Sequence, residues 1–171
     1  MVLLVRLLGL CGFTTALAAV FLLRPGPYEA EPHTRALMRY FGRFVFLTVQ
    51  TNFINVVYFS IGLAASLTES PTLNAITGHM FPLAFALGAL LTPLYYALDH
   101  FNPAHKERNK QHKELGFRYA EAADHLEHGF AFPLAILEAC FLPTTPPTTA
   151  WTITLTSSYI CIYLGITILN R

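Results

Sequence analysis

The stretch Asp124–Glu138, DHLEHGFAFPLAILE, joins a cluster of ionisable side chains to a strongly apolar run. Its polar end carries two histidines three residues apart, His125 and His128, and its apolar part contains a lone carboxylate, Glu138. Ionisable groups inside a membrane-buried helix cost free energy and are usually kept for function. The stretch therefore indicates a membrane helix and is the first place to look for a site.

The composition of the whole chain is that of an integral membrane protein. Of its 171 residues, 54% are hydrophobic and only 12% are charged, and the mean hydropathy is +0.46. Several apolar runs approach the length of about twenty residues with which a helix crosses roughly 30 Å of hydrocarbon. The net charge of +1 gives no indication of nucleic-acid binding.

We therefore predict an all-α fold, a polytopic transmembrane helix bundle forming a single domain over residues 1–171, with about five spans. The predicted spans are 2–23, 44–67, 80–98, 121–142 and 151–169. The first is interpreted as a retained anchor, because its apolar run is longer than that of a typical signal peptide. Residues 68–79 are predicted to be a short loop, and Pro93 and Pro133 are expected to kink their helices.

Basic residues predict the orientation of the bundle. Ten of the eleven lie in the connections 24–43 and 106–118 or at Arg171, all on one side of a five-span protein. The positive-inside rule makes that side cytosolic and places the N-terminus outside. Thr48 and His128 follow the starts of two spans that begin on this side, so both should lie about 7–10 Å below the same interface.

A hydroxyl and an imidazole at matching depth suit nucleophilic catalysis. A threonine nucleophile needs a base to take its proton, and histidine fits because its unperturbed pKa is about 6.5. We predict Thr48 and His128 as catalytic residues. Asn52, on the same helical face as Thr48, and His125 and Asp124, beside His128, are predicted to support them.

Two other interpretations of these residues stay open. Asp99, His100, His125 and His128 could supply nitrogen and oxygen ligands to zinc in a metal-dependent membrane lipid enzyme. Alternatively, the polar stripe that contains Thr48 and Asn52 is only the packing surface of a non-catalytic regulatory or binding protein, because such side chains often hydrogen-bond between membrane helices. The residues assign no partner to Glu138.

Three stretches resemble the androgen-induced protein / androgen-dependent TFPI-regulating protein family. Phe46-Leu47-Thr48 is similar to the family's F-L-T, and Phe81-Pro82 followed by Tyr95–Asp99 is similar to its F-P…Y-x-Y-D helix. The most specific match is Asp124–Glu138, which resembles N-H-x-x-H-x4-P-x4-E with aspartate in place of the first asparagine. The likeness covers the second to fourth spans and, weakly, the fifth.

The resemblance implies a multipass membrane threonine hydrolase that cleaves fatty acid esters of hydroxy fatty acids. It implies Thr48 as nucleophile, His128 as base, no cofactor, and a lipid ester substrate that arrives from the bilayer. It also suggests the endoplasmic reticulum or the plasma membrane as the location. The family usually has six spans with both termini cytosolic, so our count of five implies either a missing last helix or an orientation opposite to the one predicted.

Overall fold

The computed structural model describes residues 1–23, 40–141 and 147–170, and within these ranges every regular element is helical. The all-α bundle expected from the sequence is confirmed. Its α-helices are α1 (Val2–Ala18), α2 (Leu47–Thr68), α3 (Pro71–Leu94), α4 (Pro103–Glu114), α5 (Ala120–Gly129), α6 (Ala131–Phe141) and α7 (Thr149–Leu169). Two π-helical turns extend α1 through Leu23 and α3 through Asp99, and a 3-10 turn at Gly42–Val45 precedes α2. The connection 24–39 and the loop 142–146 lie outside the described residues.

Four segments among the described residues are long and apolar enough to cross a membrane. They are Val2–Leu22, Leu47–Thr68, Pro71–Asp99 and Thr149–Leu169. They coincide with the first, second, third and fifth predicted spans, although the third is longer than predicted. The side chains of many of their large apolar residues face outward, as expected for helices whose solvent is lipid.

The prediction of a loop over residues 68–79 is wrong, because α3 already begins at Pro71. Glu69 takes a left-handed conformation with φ 53°, which ends α2. The hydroxyl of Ser70 then accepts a hydrogen bond from the backbone N–H of Leu73, with Pro71 in the first turn of the new helix. Serine as N-cap and proline just inside the helix are strong start signals. The third span therefore starts nine residues before the predicted Met80.

The predicted fourth span is bent at Phe130, where α5 ends and α6 begins. Pro133 has no N–H to donate to the preceding turn. The hydroxyl of Thr92 on α3 bonds to the backbone at this bend. It donates to the carbonyl of His128 at 2.6 Å and accepts from the N–H of Phe132 at 3.3 Å. These two backbone groups would bond each other in an unbroken helix. Because neither α5 nor α6 alone is long enough to cross a membrane, a single span over 121–142 stays a prediction.

Aromatic rings and close helix contacts form the core between α1, α2, α3 and α6. Phe13 stacks on Phe59 with ring centroids 5.7 Å apart, and both are buried. A Cβ atom at Gly88 would meet the backbone of Ala131 at 3.0 Å, so glycine lets α3 approach the start of α6. Small residues that allow such approach are typical of membrane helix packing.

Glu138, to which the sequence assigned no partner, forms a buried ion pair with Arg6. The guanidinium Nε donates to the Glu138 carboxylate at 2.8 Å, and both side chains are at most 2% exposed. Arg6 also donates to the carbonyl of Gly62 and the hydroxyl of Ser66 on α2, each at 2.7 Å. The Tyr58 hydroxyl donates to the same carboxylate at 3.2 Å. The pair therefore links α1, α2 and α6 at the end of the bundle away from Thr48.

Candidate active site

Thr48 and His128 come together from two helices that are far apart in sequence. Thr48 lies in the first turn of α2, and His128 lies in the last turn of α5. The Thr48 hydroxyl Oγ1 is 3.1 Å from the imidazole Nε2 of His128, and both side chains are half-buried. The contact agrees with the matching depths expected from the sequence, which did not predict that the two helices touch.

The surroundings of His128 determine which nitrogen of its neutral ring carries the proton. Nδ1 lies 2.8 Å from the backbone carbonyl of Asp124. A carbonyl oxygen can only accept, so in the neutral ring Nδ1 is the protonated nitrogen and Nε2 is the acceptor. The hydroxyl of Thr48 can then donate to Nε2, which is the arrangement a general base requires.

A tyrosine and the bent backbone fix the plane and position of this imidazole. The ring of Tyr95 stacks on His128 with centroids 4.2 Å apart and an interplanar angle of 11°. The hydrogen bond from Thr92 to the carbonyl of His128 holds the main chain of the same residue. Gly129 follows without a side chain, and a Cβ there would meet the Tyr96 hydroxyl at 2.7 Å. His128 is thus held through its ring, its Nδ1 and its backbone.

Asn52, one helical turn after Thr48 on the same face of α2, is completely buried. Among the described residues, neither its amide nitrogen nor its amide oxygen has a hydrogen-bond partner. Asn55, three residues after Asn52, is also buried, but its amide donates to the carbonyl of Thr51 at 2.9 Å. An unsatisfied buried amide costs about 1–3 kcal/mol. The Asn52 amide is therefore available to a polar group that enters beside Thr48.

The other two predicted supporting residues have different neighbours. Asp124 touches His128 through its backbone carbonyl, whereas its buried carboxylate accepts from Asn109 at 2.6 Å and lies 3.0 Å from the imidazole of His105. His125 is exposed, and its Nδ1 is 3.0 Å from the Tyr96 hydroxyl. Of the two, Asp124 is the residue in direct contact with the predicted base.

His105 and Asn109 were not anticipated as part of this region. They lie one turn apart on α4, in the connection between the predicted third and fourth spans, and both are buried against α5. The start of α4 could have been predicted from Asn102-Pro103, a helix-start pattern. Asn102 caps the helix by accepting from the N–H of Ala104, and Pro103 lies in the first turn. Nothing in the sequence indicates that this helix folds back onto Asp124.

Among the described residues, no three of the four predicted metal ligands bring their ligand atoms within 4.8 Å of one another. Asp99 lies near His105 and Arg108, at 3.4 and 3.6 Å, and the ring of His100 contacts His125 and two tyrosines. In the described part of the chain, ligand atoms do come within 4.8 Å of one another in a different trio, Asp124, Glu127 and His128. A metal there would need a nitrogen of the same imidazole that contacts Thr48.

The fold and this site define an integral membrane protein with a buried polar centre between its helices. The chain belongs to the family of FAR-17a/AIG1-like proteins, whose model matches residues 1–170. This confirms the resemblance to the androgen-induced protein family. No curated protein and no solved structure gave a significant match.

Proposed function

We propose that the protein is a membrane-embedded lipid hydrolase that cleaves fatty acid esters of hydroxy fatty acids, with Thr48 as nucleophile and His128 as base. The observation that carries the proposal is the 3.1 Å contact between the Thr48 hydroxyl and the His128 Nε2. The carbonyl of Asp124 on Nδ1 strengthens it, because it leaves Nε2 as the proton acceptor.

The proposed reaction has two balanced steps. In the first, Nε2 of His128 takes the proton of Thr48 while Oγ1 attacks the ester carbonyl; the C–O bond to the hydroxy fatty acid then breaks, and that alcohol leaves with the proton from Nε2. In the second, His128 takes a proton from water, the resulting hydroxide attacks the threonyl ester, and Thr48 regains its proton as the fatty acid leaves. No redox partner or cofactor is required.

Asn52 is the proposed donor to the negative charge that develops on the ester carbonyl oxygen. Its buried amide has no partner among the described residues, and it lies one turn from the nucleophile. A fixed N–H group in a site shielded from water stabilises such an oxyanion far more than it could in bulk water.

The bilayer is the proposed source of the substrate. Thr48 is the second residue of a membrane-crossing helix that begins at Leu47, so at 1.5 Å per residue it lies close to the interface. An ester carbonyl at that depth reaches the pair while its acyl chains remain in the hydrocarbon. We place the protein in the endoplasmic reticulum or the plasma membrane, as the family resemblance suggests.

One observation favours a second candidate, a metal-dependent lipid enzyme. Asp124, Glu127 and His128 bring ligand atoms within 4.8 Å of one another. The contact of the Asp124 carboxylate with Asn109 competes with this use. Stoichiometric zinc or iron in purified protein, and loss of activity on its removal, would favour this candidate over the threonine mechanism.

The proposal is tested by ester hydrolysis in purified protein. We expect Thr48→Ala and His128→Ala each to lower kcat by about three orders of magnitude or more, as for removal of a nucleophile or its base. Thr68→Ala is the matched control, since that hydroxyl is exposed and bonds only its own helix in the described structure. Unchanged turnover in either site variant would contradict the mechanism, and equal membrane expression of all variants checks folding.

A further inference from the structure

A cavity of about 220 Å³ adjoins the Thr48–His128 pair. Tyr95 lies between the two, because its ring stacks on His128 and also forms part of the cavity wall. Three imidazoles and one ammonium group line the cavity, from His100, His105, His125 and Lys106. Such a concentration of nitrogen donors is suited to an anionic ligand.

The negative groups around the cavity are compensated by other residues. Glu121 accepts a hydrogen bond from Lys113 at 2.8 Å, and Asp99 lies 3.6 Å from the guanidinium of Arg108. The Asp124 carboxylate is held by Asn109. Glu121, which lines the cavity, and Asp99 and Asp124, which lie beside its lining residue His105, are therefore each neutralised or hydrogen-bonded within the protein.

Lys106 and His100 are cavity-lining donors whose side chains have no hydrogen bond or ion pair in the described part of the chain. Lys106 is exposed, and in the described part of the chain its ammonium group has neither an ion pair nor a hydrogen bond. The imidazole of His100 makes ring contacts with Tyr95 and His125 but no side-chain hydrogen bond there. These two side chains give the cavity an uncompensated positive charge and an open N–H donor.

The position of the cavity suits the polar head of a lipid. Lys106 and His105 lie on α4, which follows the end of the third membrane-crossing segment, so this wall belongs to the aqueous boundary. The Thr48–His128 pair lies on the membrane side of that boundary. One molecule with an anion at one end and an ester some methylene groups away could occupy both places.

We infer that this cavity binds the free carboxylate of the substrate, with Lys106 and His100 as its donors. The inference rests on the proposed function, since fatty acid esters of hydroxy fatty acids carry such a carboxylate. The carboxylate at the boundary then fixes how far along the chain the cleaved ester lies. Lys106 and His100 would thereby determine the substrate specificity without taking part in the bond-breaking steps.

The kinetic test compares an ester that has a free carboxylate with the same ester capped as its methyl ester. For Lys106→Met we expect KM for the free acid to rise about tenfold, the range of one charge-assisted hydrogen bond. We expect kcat for the free acid, and both constants for the methyl ester, to stay near those of the unmodified protein. Lys110→Met is the matched control, because this α4 lysine is exposed, lies away from the cavity and is 4.0 Å from Glu107.

A binding measurement keeps the inference testable even without turnover. In the Thr48→Ala protein, radiolabelled hydroxystearate should bind more tightly than its methyl ester, and Lys106→Met should remove this difference. Equal weakening of both ligands, or no change in either, would overturn the carboxylate site whether or not the protein hydrolyses esters. Stronger competition by dodecyl phosphate than by dodecanoate would also overturn it, because the cavity would then prefer a phosphate head group. Failure of the proposed function would show separately, as an absence of hydrolysis of both esters by the intact chain.

Discussion

At the scale of single residues, the tautomer of the neutral His128 ring is set by one backbone carbonyl. The carbonyl of Asp124 accepts from Nδ1, which leaves Nε2 facing the hydroxyl of Thr48. A carboxylate fills the orienting role in many serine hydrolases. Here the carboxylate of Asp124 binds Asn109 instead, and the main chain of the same residue orients the imidazole.

Asn52 gives the sharpest prediction at this scale. If its amide stabilises the oxyanion, Asn52→Ala should lower kcat about 10²–10³-fold with little change in KM, the usual effect of removing one such donor. Asn55→Ala serves as the control, since it removes an equally buried amide that bonds within its own helix. Steady-state kinetics on both variants, with thermal unfolding measured alongside, distinguish catalysis from packing. Equal losses of kcat in the two variants would contradict the role of Asn52.

At the scale of elements, the bend between α5 and α6 is held by a residue of another helix. The hydroxyl of Thr92 bonds both the carbonyl of His128 and the N–H of Phe132. Pro133 by itself leaves the carbonyl of Gly129 without its helical N–H donor. Thr92 satisfies the neighbouring carbonyl of His128 and the N–H of Phe132. This arrangement couples the position of α3 to that of His128.

The ion pair between Arg6 and Glu138 yields a prediction about helix association. Arg6→Met or Glu138→Leu alone should destabilise the bundle by about 3–5 kcal/mol, because each leaves one buried charge without its partner. The double variant should lose clearly less than the sum of the two, since it leaves no uncompensated charge. Unfolding of all three variants in detergent measures this coupling. Strictly additive losses would mean that the contact contributes no coupling between the helices.

Sequence patterns predicted the helical spans and placed Thr48 and His128 at one depth, because hydrophobic length and the rise per residue fix the position along the membrane normal. They did not predict which helix faces meet. The pairing of Glu138 with Arg6 depends on the rotation of α1 against α6, and the contact of Asp124 with Asn109 depends on how α4 folds back. The start of α3 at Pro71 was a missed local signal, since Ser70-Pro71 is a helix-capping pattern.

At the scale of the whole molecule, two polar centres lie at opposite ends of an apolar bundle. The Arg6–Glu138 pair is fully buried and bonded to α2, although Nη2 of Arg6 and Oε2 of Glu138 have no hydrogen-bond partner among the described residues. The Thr48–His128 pair is half-buried, packs on Tyr95, which lines a cavity, and has an unsatisfied amide nearby. The first arrangement is suited to holding helices together, and the second to receiving a ligand.

Covalent labelling with an alkyl fluorophosphonate tests the central claim most directly, because only an activated nucleophile attacks phosphorus. Membranes containing the intact chain should become labelled, and mass spectrometry should place the adduct on Thr48. Thr48→Ala should abolish labelling, and His128→Ala should reduce it strongly, at equal expression. Undiminished labelling of the Thr48→Ala protein, or an intact chain that does not react, would contradict the account of Thr48 as a nucleophile activated by His128.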